Sequence, residues 1–329
     1  MIKKFYLKDL AIMGICSLIL IFIFEISIPS LKEGRVMVVI PSNAGSKEIA
    51  CLLSQQKLIK NENLFILISR IFGWEKDLKA GRYEFTFSDN IINVLSKLKK
   101  GQVSICRLTI PEGLPWWGIA DLLSREKIIK KEDFARLIKS PQIFKKEVSF
   151  PLPKDSLEGY LYPDTYYFTG RETSQEVIKK FLSRFQEEVI PLYEKGKSKF
   201  SLKEIVILAS IIEKEAQVFS EKPIISAVFY NRLQRGMKLR ADPTVKYALG
   251  SFREKLTYDD LKVSSSYNTY LYYGLPPTPI SNPGKESIYA ALHPIPVDYL
   301  YFVAKGDGTH KFSRTYEEHL KAIYKYRKS

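Results

Sequence analysis

Hydrophobic and polar positions along the 329-residue chain change their period several times, and each change marks an element. A nearly all-apolar run comes first, "LAIMGICSLILIFIFEISI", from Leu10 to Ile28. As a helix it would span roughly 28 Å, close to the roughly 30 Å hydrocarbon core of a bilayer. Lys3, Lys4 and Lys8 precede it, Glu25 falls in its last turn and Pro29 closes it. "EISIPSLKEG" has no small-residue pattern for a signal peptidase, and Cys16 lacks the preceding small residue of a lipoprotein signal. The expectation is a single uncleaved anchor over 10–28. Residues 1–9 are then cytoplasmic, 29–35 form a linker, and the rest lies outside the cytoplasm.

An internal repeat appears when the chain is slid along itself by 70 residues. "IPSNAGSKEIACLLSQQKLIKNEN" (40–63) lies over "IPEGLPWWGIADLLSREKIIKKED" (110–133) without a gap. Ile40/Ile110, Pro41/Pro111, Ile49/Ile119, Ala50/Ala120, Leu53/Leu123 and Lys57/Lys127 agree. Each copy starts with a β-branched strand ("VMVVI", "CRLTI"), turns at proline and enters a helix with apolar residues at i, i+3 and i+4. After the first copy, "NENLFILISRIFG" reads as a second helix, and "AGRYEFTFSDNIINVLSKLKKG" as a strand followed by another helix. The β-α-α-β order over 36–103 fits a LysM-like glycan-binding module, or a small packing domain without a ligand.

Beyond Cys106 the pattern lengthens. "TSQEVIKKFLSRFQEEVI" (173–190) is an amphipathic helix with Thr173 or Ser174 as its cap, and "SLKEIVILASIIEKEAQ" is a helix capped by Ser201. "EKPIISAVFYNRLQRG" is a further helix stopped by Gly236. From there the chain reads as loop-rich, through "LRADPTVKYALG" and "SSYNTYLYYGLPPTPISNPGKESIYAALHP" to a closing strand "YLYFVAKGDGTHKF". Long irregular segments in a compact domain usually line a cleft. The predicted class is α+β: a membrane helix, the small module at 36–103, and a larger domain at 104–329.

Charge adds little to this picture. A net +15, from 51 Lys and Arg against 36 Asp and Glu, suits nucleic acid, an anionic membrane face or an acidic wall polymer. The cations are dispersed and no nucleic-acid-binding motif accompanies them. Cys51 and Cys106, outside the apolar run, are expected as free thiols, with a bridge as the alternative. His293, His310 and His319 lie in the last 40 residues without metal-ligand spacing.

The strongest chemical candidates are two glutamates, Glu213 and Glu215, at the end of "ILASIIEKEAQ". At about 100° per residue, Leu202, Ile205, Val206, Leu208, Ala209, Ile212 and Ala216 cover more than half of that helix, which marks it as buried. The two carboxylates point about 200° apart and cannot share a pocket. One is expected in an ion pair, with Arg232 or a nearby lysine as partner, and the other facing a cleft. Burial and the negative end of the helix dipole both raise a carboxyl's pKa there, which suits an acid that protonates a glycosidic oxygen. Geometry alone does not choose between them.

The strings "LASIIEKEA", "SAVFYNRLQRGMKLRADPTVKYALG", "YNTYLYYGLPPTPISNPGKESIYAALHP" and "YLYFVAKGDGTHKFSRTYEEH" resemble the YceG-like endolytic murein transglycosylases (MltG family), as do "EGYLYPDTYYF" and "AGRYEF". The likeness covers essentially everything after the anchor. It implies that Glu215 is the catalytic acid and Glu213 its supporting residue, with Arg232 also supporting. It implies cleavage of the bond from N-acetylmuramic acid to N-acetylglucosamine, with the muramic C6 hydroxyl closing a 1,6-anhydro ring and no cofactor or metal required.

Asn231, Asp242, Thr244, Tyr267, Asn268 and Thr269 offer amides, hydroxyls and a carboxylate for sugar groups, and Tyr270, Tyr272 and Tyr273 offer faces for pyranose rings. The implied partners are peptidoglycan, the cytoplasmic membrane and the peptidoglycan synthases, with no nucleic acid. The alternative of another class is a non-catalytic, membrane-anchored peptidoglycan-binding scaffold.

Overall fold

A computed structural model describes residues 34–250 and 255–327. The expected anchor at 10–28 lies outside the described residues. Among the described residues, no helix is long and apolar enough to cross a membrane.

The chain divides into two compact units. The described part of the first comprises residues 34–108 and 167–172; the second comprises 109–166 and 173 onward. In the first, β1 (Arg35–Ile40), α1 (Ser46–Gln55), α2 (Glu62–Ile71), β2 (Gly81–Thr86) and α3 (Ile91–Lys100) follow in order. β1 and β2 pair antiparallel, with Val38 opposite Tyr83 and Ile40 opposite Gly81. Period-2 alternation puts Val38, Ile40, Tyr83 and Phe85 on the inner face. Against that face pack Ile49, Ala50 and Leu53 of α1, Phe65 and Ile68 of α2, and Val94, Leu95 and Leu98 of α3. Each of the larger aliphatic and phenylalanine side chains contributes about 1.5–3 kcal/mol by leaving water. Cys51 and Cys106 are both free thiols, each half-buried.

After β3 (Cys106–Thr109) come α4 (Trp116–Arg125), α5 (Lys131–Ile138), β4 (Thr165–Phe168), α6 (Ser174–Gly196), α7 (Leu202–Glu215) and α8 (Lys222–Gln234). The chain then forms α9 (Asp242–Ala248), α10 (Lys285–Leu292), β5 (Tyr301–Ala304), β6 (His310–Ser313) and α11 (Tyr316–Arg327). β3 pairs with β4, and β5 with β6. The result is α+β.

The sequence repeat is a repeat of structure. Ile119, Ala120 and Leu123 are buried in α4 as Ile49, Ala50 and Leu53 are in α1. Both helices end on a lysine in the left-handed region, Lys57 at φ 60° and Lys127 at φ 55°. Each time the next amide turns back onto the helix, Leu58 N–H to the Leu53 carbonyl and Ile128 N–H to the Leu123 carbonyl.

Three local expectations change. α6 continues through Pro191 to Gly196. Pro191 has no N–H to donate, so one helical hydrogen bond is lost there; farther on, the Tyr193 hydroxyl donates to the Phe200 carbonyl at 3.0 Å. The region read as loops contains two short helices, α9, which opens Asp242-Pro243, and α10, entered from Gly284. Proline in a first turn loses no helical hydrogen bond, so Pro243 favours a helix start rather than a break. The closing strand is a hairpin, folded back where Gly306 (φ 93°) and Gly308 (φ 85°) occupy conformations that favour glycine.

Candidate active site

α7 is fixed from its first turn. The Ser201 hydroxyl accepts the Glu204 amide, and the Glu204 carboxylate accepts the Ser201 amide at 2.8 Å, a closed capping box. Its side chains from Ile205 to Ile212 are all buried. The Ile280 amide donates to Ser210 Oγ at 3.0 Å, and the Ser281 hydroxyl donates to the Ser210 carbonyl. The proline-rich loop thus docks on α7. Gly159 lies against the same helix, and a Cβ there would meet Pro279 Cγ at 2.5 Å and Val206 Cγ1 at 2.8 Å.

The two glutamates of the last turn diverge. Glu213 accepts from Lys222 Nζ at 3.3 Å, from the Gly284 amide at 3.0 Å and from the Ser287 hydroxyl at 2.6 Å. It therefore ties the start of α8 and the N-terminus of α10 to the end of α7. The expected ion pair is this one, and the partner is Lys222 rather than Arg232.

Glu215 is half-buried and lines a cavity of about 680 Å³. Among the described residues, no hydrogen bond or ion pair engages its carboxyl. Burial pushes its pKa up to about 8, the negative charge of Asp242 pushes the same way, and the Arg232 and Lys246 charges oppose both. The carboxyl is thus predominantly protonated at pH 7 and open to the cavity. Arg232 on α8 is buried, its Nε donating to the Leu300 carbonyl at 2.6 Å and its Nη1 to the Leu239 carbonyl. Its guanidinium carbon stands 5.4 Å from the centre of the Tyr301 ring, so a fixed cation is built into the cavity wall.

Asp242, the first residue of α9, lines the cavity, as do Tyr270 and Tyr273. The Tyr270 hydroxyl donates to Asp242 Oδ1 at 2.5 Å. The other candidates for sugar contact are bonded inside the fold. Asn231 Nδ2 donates to the Val297 and Tyr299 carbonyls, and Asn268 Nδ2 to those of Leu261 and Val263. Thr244 Oγ1 bonds Thr269 Oγ1 at 2.9 Å, which accepts the Ala241 amide. The Tyr267 hydroxyl meets that of Thr278 at 2.7 Å. Buried polar groups must find partners, and these five have found theirs in protein. Asn231, Thr244, Tyr267, Asn268 and Thr269 thus each hold a bond within the fold, whereas Asp242 and Tyr270 line the cavity. Tyr272 is exposed and is not among the cavity-lining side chains.

Two acids went unmarked in the sequence. Glu158, of "EGYLYP", is fully buried and accepts from the Trp116 amide, Asn282 Nδ2 and the Tyr247 hydroxyl. Burial pushes its pKa up to about 8. Glu221 accepts both the backbone amide and the ring Nδ1 of His310, at 3.0 and 2.7 Å, and His310 lines the cavity. Lys238 and Arg240 line it too. The glutamate and histidine motifs were visible as strings, but their pairing over 89 and 124 positions was not. Among the described residues, no three His, Cys, Asp or Glu side chains gather as a metal ion would require.

Residues 38–325 match the YceG-like family. The chain is 36% identical over 309 residues to the endolytic murein transglycosylase of Bacillus subtilis (strain 168), covering 90% of this chain and 86% of that protein. It is 30% identical over 314 residues to the endolytic murein transglycosylase of Streptococcus pneumoniae serotype 2 (strain D39), covering 86% of this chain and 57% of that longer protein. A crystal structure of a yceG-like protein from Listeria monocytogenes superposes with a TM-score of 0.60 at 36% identity, over 88% of this chain and 99% of that one.

Proposed function

The chain belongs to the YceG-like family, and from that premise we propose that it is an endolytic peptidoglycan lytic transglycosylase with Glu215 as its proton donor. The substrate is the glycan of peptidoglycan, cut within the strand between N-acetylmuramic acid and N-acetylglucosamine. The protonated Glu215 carboxyl gives its proton to the glycosidic oxygen as the bond to the muramic C1 breaks. The C6 hydroxyl of the same muramic residue then closes on C1 and returns a proton to the Glu215 carboxylate. The strand ends in a 1,6-anhydro ring, and the acid is regenerated. One carboxyl suffices because the substrate supplies the nucleophile, whereas ordinary glycosidases need a second carboxylate.

The observation that carries the assignment is the contrast within the pair. Glu213 is tied up by Lys222, Gly284 and Ser287, while Glu215 opens on the cavity with its pKa raised to about 8. Arg232, fixed by two carbonyls, stabilises negative charge on Glu215 after the first step. Burial, reinforced by the Asp242 charge, keeps the resting acid protonated, and Tyr270 holds Asp242. Glu213 supports the site by holding the helix ends that frame it.

In this reading the 10–28 segment anchors the enzyme in the cytoplasmic membrane, with everything after it outside the cytoplasm. Residues 36–103 act as a LysM-like glycan-binding module. Tethering limits reach to glycan emerging from membrane-bound synthases, and each cut ends elongation of that strand. The test is the full chain in detergent on nascent, uncrosslinked strands. Glu215→Gln, which keeps the shape but cannot cycle a proton, lowers release of anhydro-ended fragments by about 10²–10⁴. Undiminished release by that variant overturns the assignment.

A further inference from the structure

The cavity that holds Glu215 has a basic rim that the bond-breaking steps do not use. Lys238 and Arg240 both line it, on the 236–241 segment between α8 and α9. Neither is within ion-pair distance of a carboxylate among the described residues. Asp242, two residues away, is occupied by the Tyr270 hydroxyl. Lys238 Nζ stands 5.0 Å over the ring of Tyr273, a placement that holds the ammonium at the cavity edge.

Arg240 is more unusual. It sits at φ 48°, the left-handed region that a long side chain enters only at a cost of about 1 kcal/mol or more. The surrounding bonds hold it there. Its amide donates to the Thr269 carbonyl at 3.1 Å, and the Thr269 hydroxyl receives the next amide, Ala241. Thr269 is itself clamped to Thr244, and both threonines are buried. A rigid base thus presents an exposed guanidinium at the mouth of the cleft. With buried Arg232 behind it, the wall carries three cations against the single charge of Asp242, and Glu215 is largely neutral. Such a wall is built for an anion.

We propose that Lys238 and Arg240 form a subsite for a free carboxylate of the peptide carried by the muramic residue next to the scissile bond. This rests on the transglycosylase reading and adds a substrate preference to it. The sugars themselves are neutral. Negative charge on a nascent strand comes from the stem-peptide carboxylates, which recur at every muramic residue, and from a pyrophosphate at the lipid-linked end alone. A cut within a strand always has a peptide beside it and rarely the pyrophosphate, so the peptide is the ligand a rim next to the acid would meet.

The test compares kcat/KM of the full chain on three uncrosslinked preparations: strands whose peptides carry free carboxylates, the same strands with those carboxylates converted to amides, and amidated strands still lipid-linked through pyrophosphate. The strands with free peptide carboxylates are preferred over the amidated ones by about 3- to 10-fold, chiefly through KM, and the preference shrinks as salt rises. K238Q/R240Q brings the ratio close to one, and K238R/R240K restores it. Independently of any variant, free stem peptide inhibits the unaltered enzyme, and the same peptide with its carboxylates amidated does not.

Equal rates on the first two preparations overturn the proposal, as does a preference that survives K238Q/R240Q. A preference that appears only on lipid-linked strands assigns the rim to pyrophosphate and overturns the peptide. Failure to cut any preparation removes the transglycosylase reading itself, a result distinct from cutting without preference.

Discussion

The Tyr270 hydroxyl lies 2.5 Å from Asp242 Oδ1, so the charge that helps keep Glu215 protonated is itself held by a ring on the cavity wall. Removing the charge and removing its anchor have different consequences. Asp242→Asn takes away the second-largest influence raising the Glu215 pKa while leaving the first, burial. Activity that needs the protonated acid is lost as pH rises through about 8 in the unaltered protein. In Asp242→Asn that basic limb moves to lower pH, while burial still holds it above the ordinary carboxyl range. Tyr270→Phe keeps the charge and therefore the limb, but lowers kcat/KM by about tenfold through a less ordered wall. A pH–rate profile of both variants separates the two roles.

Glu158 makes a second pH-dependent prediction, this time for stability. Its folded-state pKa is raised from 4.5 to about 8, so the folded protein keeps a proton that the unfolded chain releases. The native state then binds more protons than the unfolded state between those values, and stability falls as pH rises through that window. Glu158→Gln imitates the protonated acid: one oxygen still accepts from Trp116 and Asn282, and the amide can donate to the Tyr247 oxygen. Thermal unfolding of Glu158→Gln therefore shows a flatter dependence between pH 5 and 8, by up to a few kcal/mol. A slope identical to that of the unaltered protein refutes a raised pKa at this site.

How far the sequence shows this site depends on the range of the interaction. The repeat is legible because its signals are local: identical apolar spacing in α1 and α4, and Lys57 and Lys127 at the same helix-ending turn. The burial of α7 and the opposite facing of Glu213 and Glu215 follow from 3.6-residue periodicity alone. Neither the Glu158–Asn282 bond nor the Glu221–His310 pair has any such local trace. The internal partners of Asn268 and Thr269 are hidden for a related reason. A polar residue in an aromatic loop reads as a ligand contact in sequence, and only the fold shows which backbone carbonyls and amides it also binds.

Gly159 tests how tightly the "EGYLYP" loop fits α7. At φ 87° it occupies a conformation that favours glycine, and a Cβ would press into Pro279 and Val206, neither the end of a flexible side chain. Gly159→Ala combines backbone strain with overpacking and lowers stability by about 2–4 kcal/mol, read as a fall in Tm. A loss under about 0.5 kcal/mol would mean that the loop and helix separate easily.

Glu213 separates a supporting role from a catalytic one. Glu213 and Lys222 are each about nine-tenths shielded, with side-chain exposures of 10% and 9%, and the carboxylate also caps α10. Glu213→Ala leaves a buried ammonium without a counter-charge and two donors without an acceptor, at a cost of about 3–5 kcal/mol. Adding Lys222→Met removes the stranded charge and recovers about 1–3 kcal/mol, a coupling that only a direct pair produces. Glu213→Gln keeps an acceptor for the Gly284 amide and the Ser287 hydroxyl, so it is destabilised less than the alanine variant and retains activity in its folded fraction. Glu215→Gln, by contrast, folds and does not cut. If Glu213→Gln proved as inactive as Glu215→Gln while equally well folded, the proton donor would have to be reassigned, since the two carboxyls differ in whether they open on the cavity.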